Sequence, residues 1–367
     1  MKKLVTLIAV VAFSTILAMA STPLKSNFTV GSPDVKSINA LSFGPEGILF
    51  IGDSQNASVY AFDTKDTAPA EATKDLKISS FDEKVAELLG TTADQITIQD
   101  LAVNPISKNI YFAVQHTNGT PLLMKVRNGE ISSVSLKNVS YSASSLIDAV
   151  AVDAKDTRGR ELRKWAISDL NYSNGKVMVT GLSNQEFGST FRAVDFPFTE
   201  NQMMSSLEIY HAAHGQYETN SPVKAFTTTT LEGKDYVVAS YTCTPLVIFP
   251  TSDFKAGQHV KGRTVAELGS WNTPLDMIVM EKEGKSYLLL ANSSRALMKI
   301  DLSDVSSYSG SLTEPIEDHG GTAGVGFIAL PFVNVLQLDK LSDKEFVMLQ
   351  RTAAGDLQLY SSSNRWF

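Results

Sequence analysis

Along most of the chain, apolar and polar residues alternate in short runs, and the runs recur in one order. In "INALSFGPEGILFIGDSQNASVYAFD" (38–63) an alternating strand is followed by a Gly-Pro-Glu-Gly turn, an apolar strand, a polar loop and a third strand. "PLDMIVMEKEGKSYLLLANSSRALMKID" (274–301) repeats the order, with a Glu-Gly-Lys turn and an Asn-Ser-Ser-Arg loop. Segments 98–126, 167–196, 223–250 and 333–361 fit the same template, and the last is short of an outer strand. Short apolar runs bounded by Gly, Asn, Asp and Ser read as strands, and their fixed order is a supersecondary repeat. One such antiparallel sheet cannot bury both its faces, whereas a ring of them can. The first strands begin near 38, 98, 167, 223, 275 and 333, which predicts an all-β, six-bladed β-propeller over 21–367 as a single domain. Seven blades is the alternative. A sandwich pair or a parallel β-helix explains the short strands but not the sixfold order.

Two segments lie outside the repeats. "SNFTVG" (26–31) is the expected outer strand of the last blade, closing the ring. "SSFDEKVAELLGTT" predicts one short rim helix near 80–90, with Ser80 and Glu83 as a capping box and Gly90 as the stop. Val85, Leu88 and Leu89 form its expected inward face.

The N-terminus changes the expected compartment. Lys2 and Lys3, the apolar stretch Leu4 to Leu17 and Ala18-Met19-Ala20 form a secretory signal over 1–20. The mature chain is expected to be secreted or periplasmic, monomeric, and without a membrane span. Losing the two lysines takes the formal charge from −7 to −9, which excludes nucleic acid as a partner. Cys243 is the only cysteine, so no intramolecular disulfide can form.

With the blades laid out, "GPEGILFIGDSQNASVYAFD" resembles the blade pattern of NHL-repeat and SMP-30/gluconolactonase-type six-bladed propellers. Pro45, Glu46, Gly47, Asp53, Asn56, Phe62 and Asp63 occupy that pattern's places. The match is clear over one blade. The resemblance implies a central channel that, in the lactonases, holds a divalent cation with a Glu, an Asn and an Asp. Position 43 is Phe where their first-blade signature has the Glu, so that metal set is not carried over.

Propeller topology then sorts the polar loops. The loop leading into an innermost strand and the loop between the second and third strands lie on one face. "HAAHGQYETN" (211–220) and "YTCTP" (241–245) therefore share a face, with "SWNTP" (270–274) and "NSSR" (292–295) beside them. His211, His214 and Cys243 are the candidate metal ligands, since imidazoles and a thiolate suit zinc or copper. Otherwise one histidine hydrogen-bonds within its loop and the other is solvated. Asp100, Asp169 and Asp276 recur at one offset into their first strands. Facing the channel together they can bind a cation such as calcium, and read singly each accepts backbone N–H bonds. Glu218, Asn272, Asn292 and Arg295 complete the candidate ligand-binding set. No complete catalytic constellation is present, so catalytic residues are unassigned and enzymatic activity is left open. The expected function is an exported propeller that binds a small molecule or an exported protein partner at its channel-mouth face. A metal-dependent, lactonase-like hydrolase and a copper or redox accessory protein using the same face are the alternatives.

Overall fold

The structure, a computed structural model, describes residues 23–70, 75–318 and 320–367; the signal segment 1–20 lies outside them. Six sheets are present among the described residues, antiparallel except where His259–Lys261 runs parallel to Gln202–His211. Numbering the blades by the chain order of their innermost strands places the starts where the repeats put them. Those strands are Ala40–Phe43, Ile96–Val103, Asp169–Ser173, Val223–Leu231, Pro274–Lys282 and Val335–Lys340. The six-bladed propeller is thus observed.

The order around the ring is not the order along the chain. Contacts between innermost strands run 1–3–4–5–6–2 and back to 1. Six apolar clusters, one per seam, give the same sequence. Phe50, Ile167 and Phe196 join blades 1 and 3, and Phe191 and Phe249 join 3 and 4. Leu246 and Leu288 join 4 and 5, Leu289 and Phe346 join 5 and 6, Phe112 and Val347 join 6 and 2, and Leu49 and Tyr111 join 2 and 1. Each seam is a face-to-face packing of two twisted sheets, and apolar burial at about 25 cal/mol per Å² holds it.

The chain path explains the order. After the third strand of blade 1, Ser58–Asp63, the chain crosses to blade 6, where Lys77–Ile78 pairs with Tyr360 and Leu359 as its outer strand. It then builds blade 2 and returns as Val139–Ser145 beside Ser58–Phe62. Thr29–Gly31 adds to that returning strand, pairing with Val139–Tyr141. The expectation that 26–31 closes the last blade is therefore overturned. Blade 6 does lack an outer strand of its own, but residues 77–78 supply it.

The helix spans Phe81–Leu89 and ends at Gly90 in the left-handed conformation (φ 70°). Its start differs from expectation. Ser80 itself has φ 48° and makes no capping bond; its hydroxyl turns to Asp356. Phe81, Val85 and Ala86 enter the seam between blades 6 and 2, while Leu88 is exposed. Leu89 also packs against this seam, so Val85 and Leu89 take the expected inward face, which extends one turn further to Phe81, and Leu88 alone departs from it. Gly181 marks a close approach, because a Cβ there would lie 2.3 Å from the carbonyl oxygen of Ala166. Among the described residues no helix is long and apolar enough to cross a membrane.

Candidate functional site

The histidines arise from an overlong strand. Gln202–His211, the fourth strand of blade 3, runs past its own sheet and folds back through residues 212–215 to pair with Gln216–Glu218. This hairpin carries His211, which is 1% exposed, and His214 on its outer side toward blade 4. Glu218 lies between them. Its Oε1 is 2.6 Å from His214 Nδ1, its Oε2 is 3.1 Å from His211 Nδ1, and Ser221 donates to Oε2 at 2.6 Å. Burial would push this carboxyl up, but the close His211 imidazole and the hydrogen bonds with Ser221 and His214 outweigh it and hold Glu218 well below the usual carboxylate range. The carboxylate engages Nδ1 of each ring, which leaves the two Nε2 atoms as the available lone pairs. The imidazole centroids are 3.8 Å apart.

Cys243 comes from the turn between Lys234–Tyr241 and Pro245–Pro250 of blade 4. Thr244 N–H donates to Tyr241 O, and Cys243 takes φ 67°, a conformation that favours glycine. Thr244 follows at φ 62°. Each non-glycine residue held there costs roughly 1–2 kcal/mol. The turn is pinned by Cys243 N–H to Asn272 O and by the Thr244 hydroxyl to Gly269 O. One ligand atom from each of His211, His214 and Cys243 lies within 4.8 Å of the others.

Buried polar atoms without partners gather at this corner. They are His211 Nε2, the Tyr241 and Ser189 hydroxyls, Glu267 Oε1 and Asn272 Nδ2. The His211 Nδ1 contact with Glu218 is close but poorly aligned, so neither ring nitrogen makes a well-formed hydrogen bond. Each orphaned buried group costs about 1–3 kcal/mol. Glu267 belongs to the corner through Ala213 N–H at 3.3 Å, and burial pushes its carboxyl up to about 8.

The aspartates build a different place, the waist of the central channel. Asp100 accepts from Leu101 N–H at 2.8 Å and from Leu41 N–H of blade 1 at 2.6 Å. Asp169 bridges Leu170 and Phe226 in the same way, and Asp276 bridges Met277 and Leu338. Asp339, absent from the sequence-derived set, bridges Lys340 and Val103. Four of the six seams are thus tied by a carboxylate that spans two innermost strands. Burial raises all four. Asp169 is pushed up to about 7 and Asp339 to about 6, while Asp100 and Asp276 are raised well above the usual range by burial and by neighbouring carboxylates. The backbone-acceptor reading of these residues and the shared channel are both observed.

On either side of the waist the channel widens. A cavity of about 660 Å³ contains Lys108, Lys340 and Asp343. A second, of about 310 Å³, is lined by Gln99, Lys164, Trp165, Lys224 and Gln337. His211, His214, Glu218 and Cys243 line neither cavity, so a single site combining histidines and aspartates is not what the fold builds. Asn292 is spent within its own loop, donating to Leu290 O and Ala296 O. Arg295 donates to Gly320 O at 2.8 Å, and Asn272 Oδ1 accepts Ser294 N–H. These three shape the loops beside the cysteine turn. Glu267 was missed by sequence reasoning, although a lone carboxylate in the buried strand "RTVAE" is its signal.

Fold and sites together define a six-bladed β-propeller with a carboxylate-tied channel and a separate histidine–cysteine corner. No family model and no curated protein matches the chain. Among solved structures, a GH43 endo-arabinanase from Bacillus licheniformis is similar at 12% identity and TM-score 0.36, covering 70% of this chain and 89% of that one. The PQQ-bound aldose sugar dehydrogenase from Streptomyces coelicolor matches at 8% identity and TM-score 0.31, with 92% and 98% covered. Virginiamycin B lyase from Staphylococcus aureus matches at 8% identity and TM-score 0.33, with 91% and 87% covered. These likenesses carry no inference about activity, and the propeller assignment rests on the sheets themselves.

Proposed function

We propose that this protein is an exported propeller that carries a zinc- or copper-class metal ion on His211, His214 and Cys243. The observation that carries the reading is His211, buried to 1% exposure, with its Nε2 lacking any partner and ligand atoms of His214 and Cys243 within reach. Two imidazoles and a thiolate are a soft-to-borderline donor set, which favours zinc or copper over calcium. Glu218 supplies the outer carboxylate that orients both rings and raises their basicity. Three protein ligands leave one position for water, a substrate or a donor group of another protein. This suits either metal-assisted hydrolysis or metal delivery to an exported partner. The lysine-led apolar segment at 1–20 supports an oxidising compartment, in which an unpaired thiol persists if a metal holds it. The NHL and SMP-30 resemblance of 44–63 supports the propeller framework but not a lactonase site, since position 43 is Phe.

Cobalt titration of the full chain tests the reading. One equivalent of Co²⁺ should give a near-ultraviolet thiolate charge-transfer band that disappears in Cys243→Ser and in His211→Ala. A titration without that band, or with the band intact in both variants, would sink the proposal.

A further inference from the structure

The smaller channel cavity has carboxyl groups at one end and ammonium groups at the other. Asp100, Asp169 and Asp276 form its floor. At its mouth the Lys224 ammonium lies 3.9 Å over the Trp165 ring, and Lys164 approaches the same ring at 5.5 Å. Among the described residues the half-buried Lys224 ammonium has no ion-pair or hydrogen-bond partner and the side-chain amide of Gln99 has none either, while Lys164 is exposed. Leaving the half-buried Lys224 and Gln99 groups unpaired is costly, whereas water solvates Lys164. The indole fixes both lysines by cation–π attraction but does not neutralise them. Each floor carboxylate accepts one N–H per oxygen, which leaves a lone pair on each for a donor in the channel.

We infer that this cavity binds a small zwitterion, an amino acid or short peptide with free termini, its carboxylate on Lys224 and Lys164 and its ammonium on the aspartate floor. A volume of about 310 Å³ accommodates a molecule of dipeptide size. A plain anion would satisfy the lysines and leave the floor oxygens without a donor, and a plain cation would do the reverse. A molecule with both charges matches both ends. The depressed Lys224 ammonium agrees with this geometry: burial and then Lys164 pull it down to about 8, with Asp169 opposing. A carboxylate between the two lysines would relieve that repulsion. The site shares no residue with the histidine–cysteine corner, so it stands whether or not a metal binds there.

Calorimetric titration of the full chain with dialanine, dialanine amide and N-acetyl-dialanine tests each end separately. Dialanine should bind at least about tenfold more tightly than either blocked form. Lys224→Ala should lower dialanine affinity by at least about tenfold while leaving dialanine amide unchanged. Asp169→Asn should reduce the preference for dialanine over N-acetyl-dialanine, with Asp100 and Asp276 still on the floor. Lys224→Met, which keeps the stem over Trp165, guards against a loss caused only by loosened packing. Absence of dialanine binding at about 10 mM, equal binding of all three probes, or wild-type affinity in both Lys224 variants would overturn the inference.

Discussion

Replacing Asp169 with Asn should change how stability depends on pH, by an amount the channel geometry sets. Asp169 is enclosed at the waist and is pushed from 3.8 to about 7, chiefly by burial. A carboxyl raised in the folded state binds its proton more tightly there than in the unfolded chain. Its contribution is therefore fully present below about pH 4 and is lost as pH rises through about 7. A shift of roughly three units at 1.36 kcal/mol each amounts to about 4 kcal/mol. Water drawn into the channel around the ionised group relieves part of this, leaving about 2–4 kcal/mol. Asparagine cannot ionise, and its oxygen can still accept Leu170 N–H or Phe226 N–H. The bond it gives up adds a cost of about 1–3 kcal/mol that does not vary with pH. Urea unfolding of both proteins at pH 4, 5, 6, 7 and 8 measures the term together with the linked response of Asp100 and Asp276, whose carboxyls feel the Asp169 charge, because titrations that do not interact with Asp169 cancel in the difference. The variant should gain on the wild type by about 2–4 kcal/mol between pH 4 and 8. A difference constant to within about 0.5 kcal/mol would refute the reasoning, since it would mean that the carboxyl is solvated or ion-paired in the folded state.

Two further perturbations probe the corner and the frame. Glu218→Gln keeps a hydrogen-bond acceptor near both histidines but removes the charge that raises their basicity. Zinc affinity measured against a competing chelator should fall about 10–100-fold, and an unchanged affinity would remove Glu218 from its outer role. Gly181→Ala places a methyl 2.3 Å from the Ala166 carbonyl oxygen, where the neighbour is backbone and cannot swing aside. Thermal unfolding should show a loss of about 1–3 kcal/mol, and a neutral result would contradict the close approach.

The strand starts and blade count were legible in the sequence because they depend on local alternation and turn residues. The ring order was not. All six seams use the same Val, Leu, Ile and Phe vocabulary, so nothing local says that blade 3 packs on blade 1 rather than on blade 2. The outer strand of blade 6 shows the same limit, because two residues, Lys77 and Ile78, do the pairing. Asp339 escaped for a different reason. Blades 5 and 6 share a register shift at the same place, so Gln337 stands where Asp276 does, and the carboxylate of blade 6, Asp339, falls two residues later, off the offset the sequence comparison used. The nearness of Cys243 to His211 and His214 was expected from reading 211–220 as the loop entering blade 4, whereas the structure makes 211–218 an outer hairpin of blade 3 that still reaches the Cys243 turn. The separation of that corner from the aspartates did not follow, because a shared face does not fix distance from the axis.

The central claim is a metal ion on His211, His214 and Cys243, and elemental analysis of untagged protein purified without chelators tests it most directly. The account predicts about one equivalent of zinc or copper in the wild type, lost in His211→Ala and in Cys243→Ser while the fold persists by circular dichroism. Metal retained in both variants, or protein that stays metal-free after incubation with zinc and copper, would contradict it.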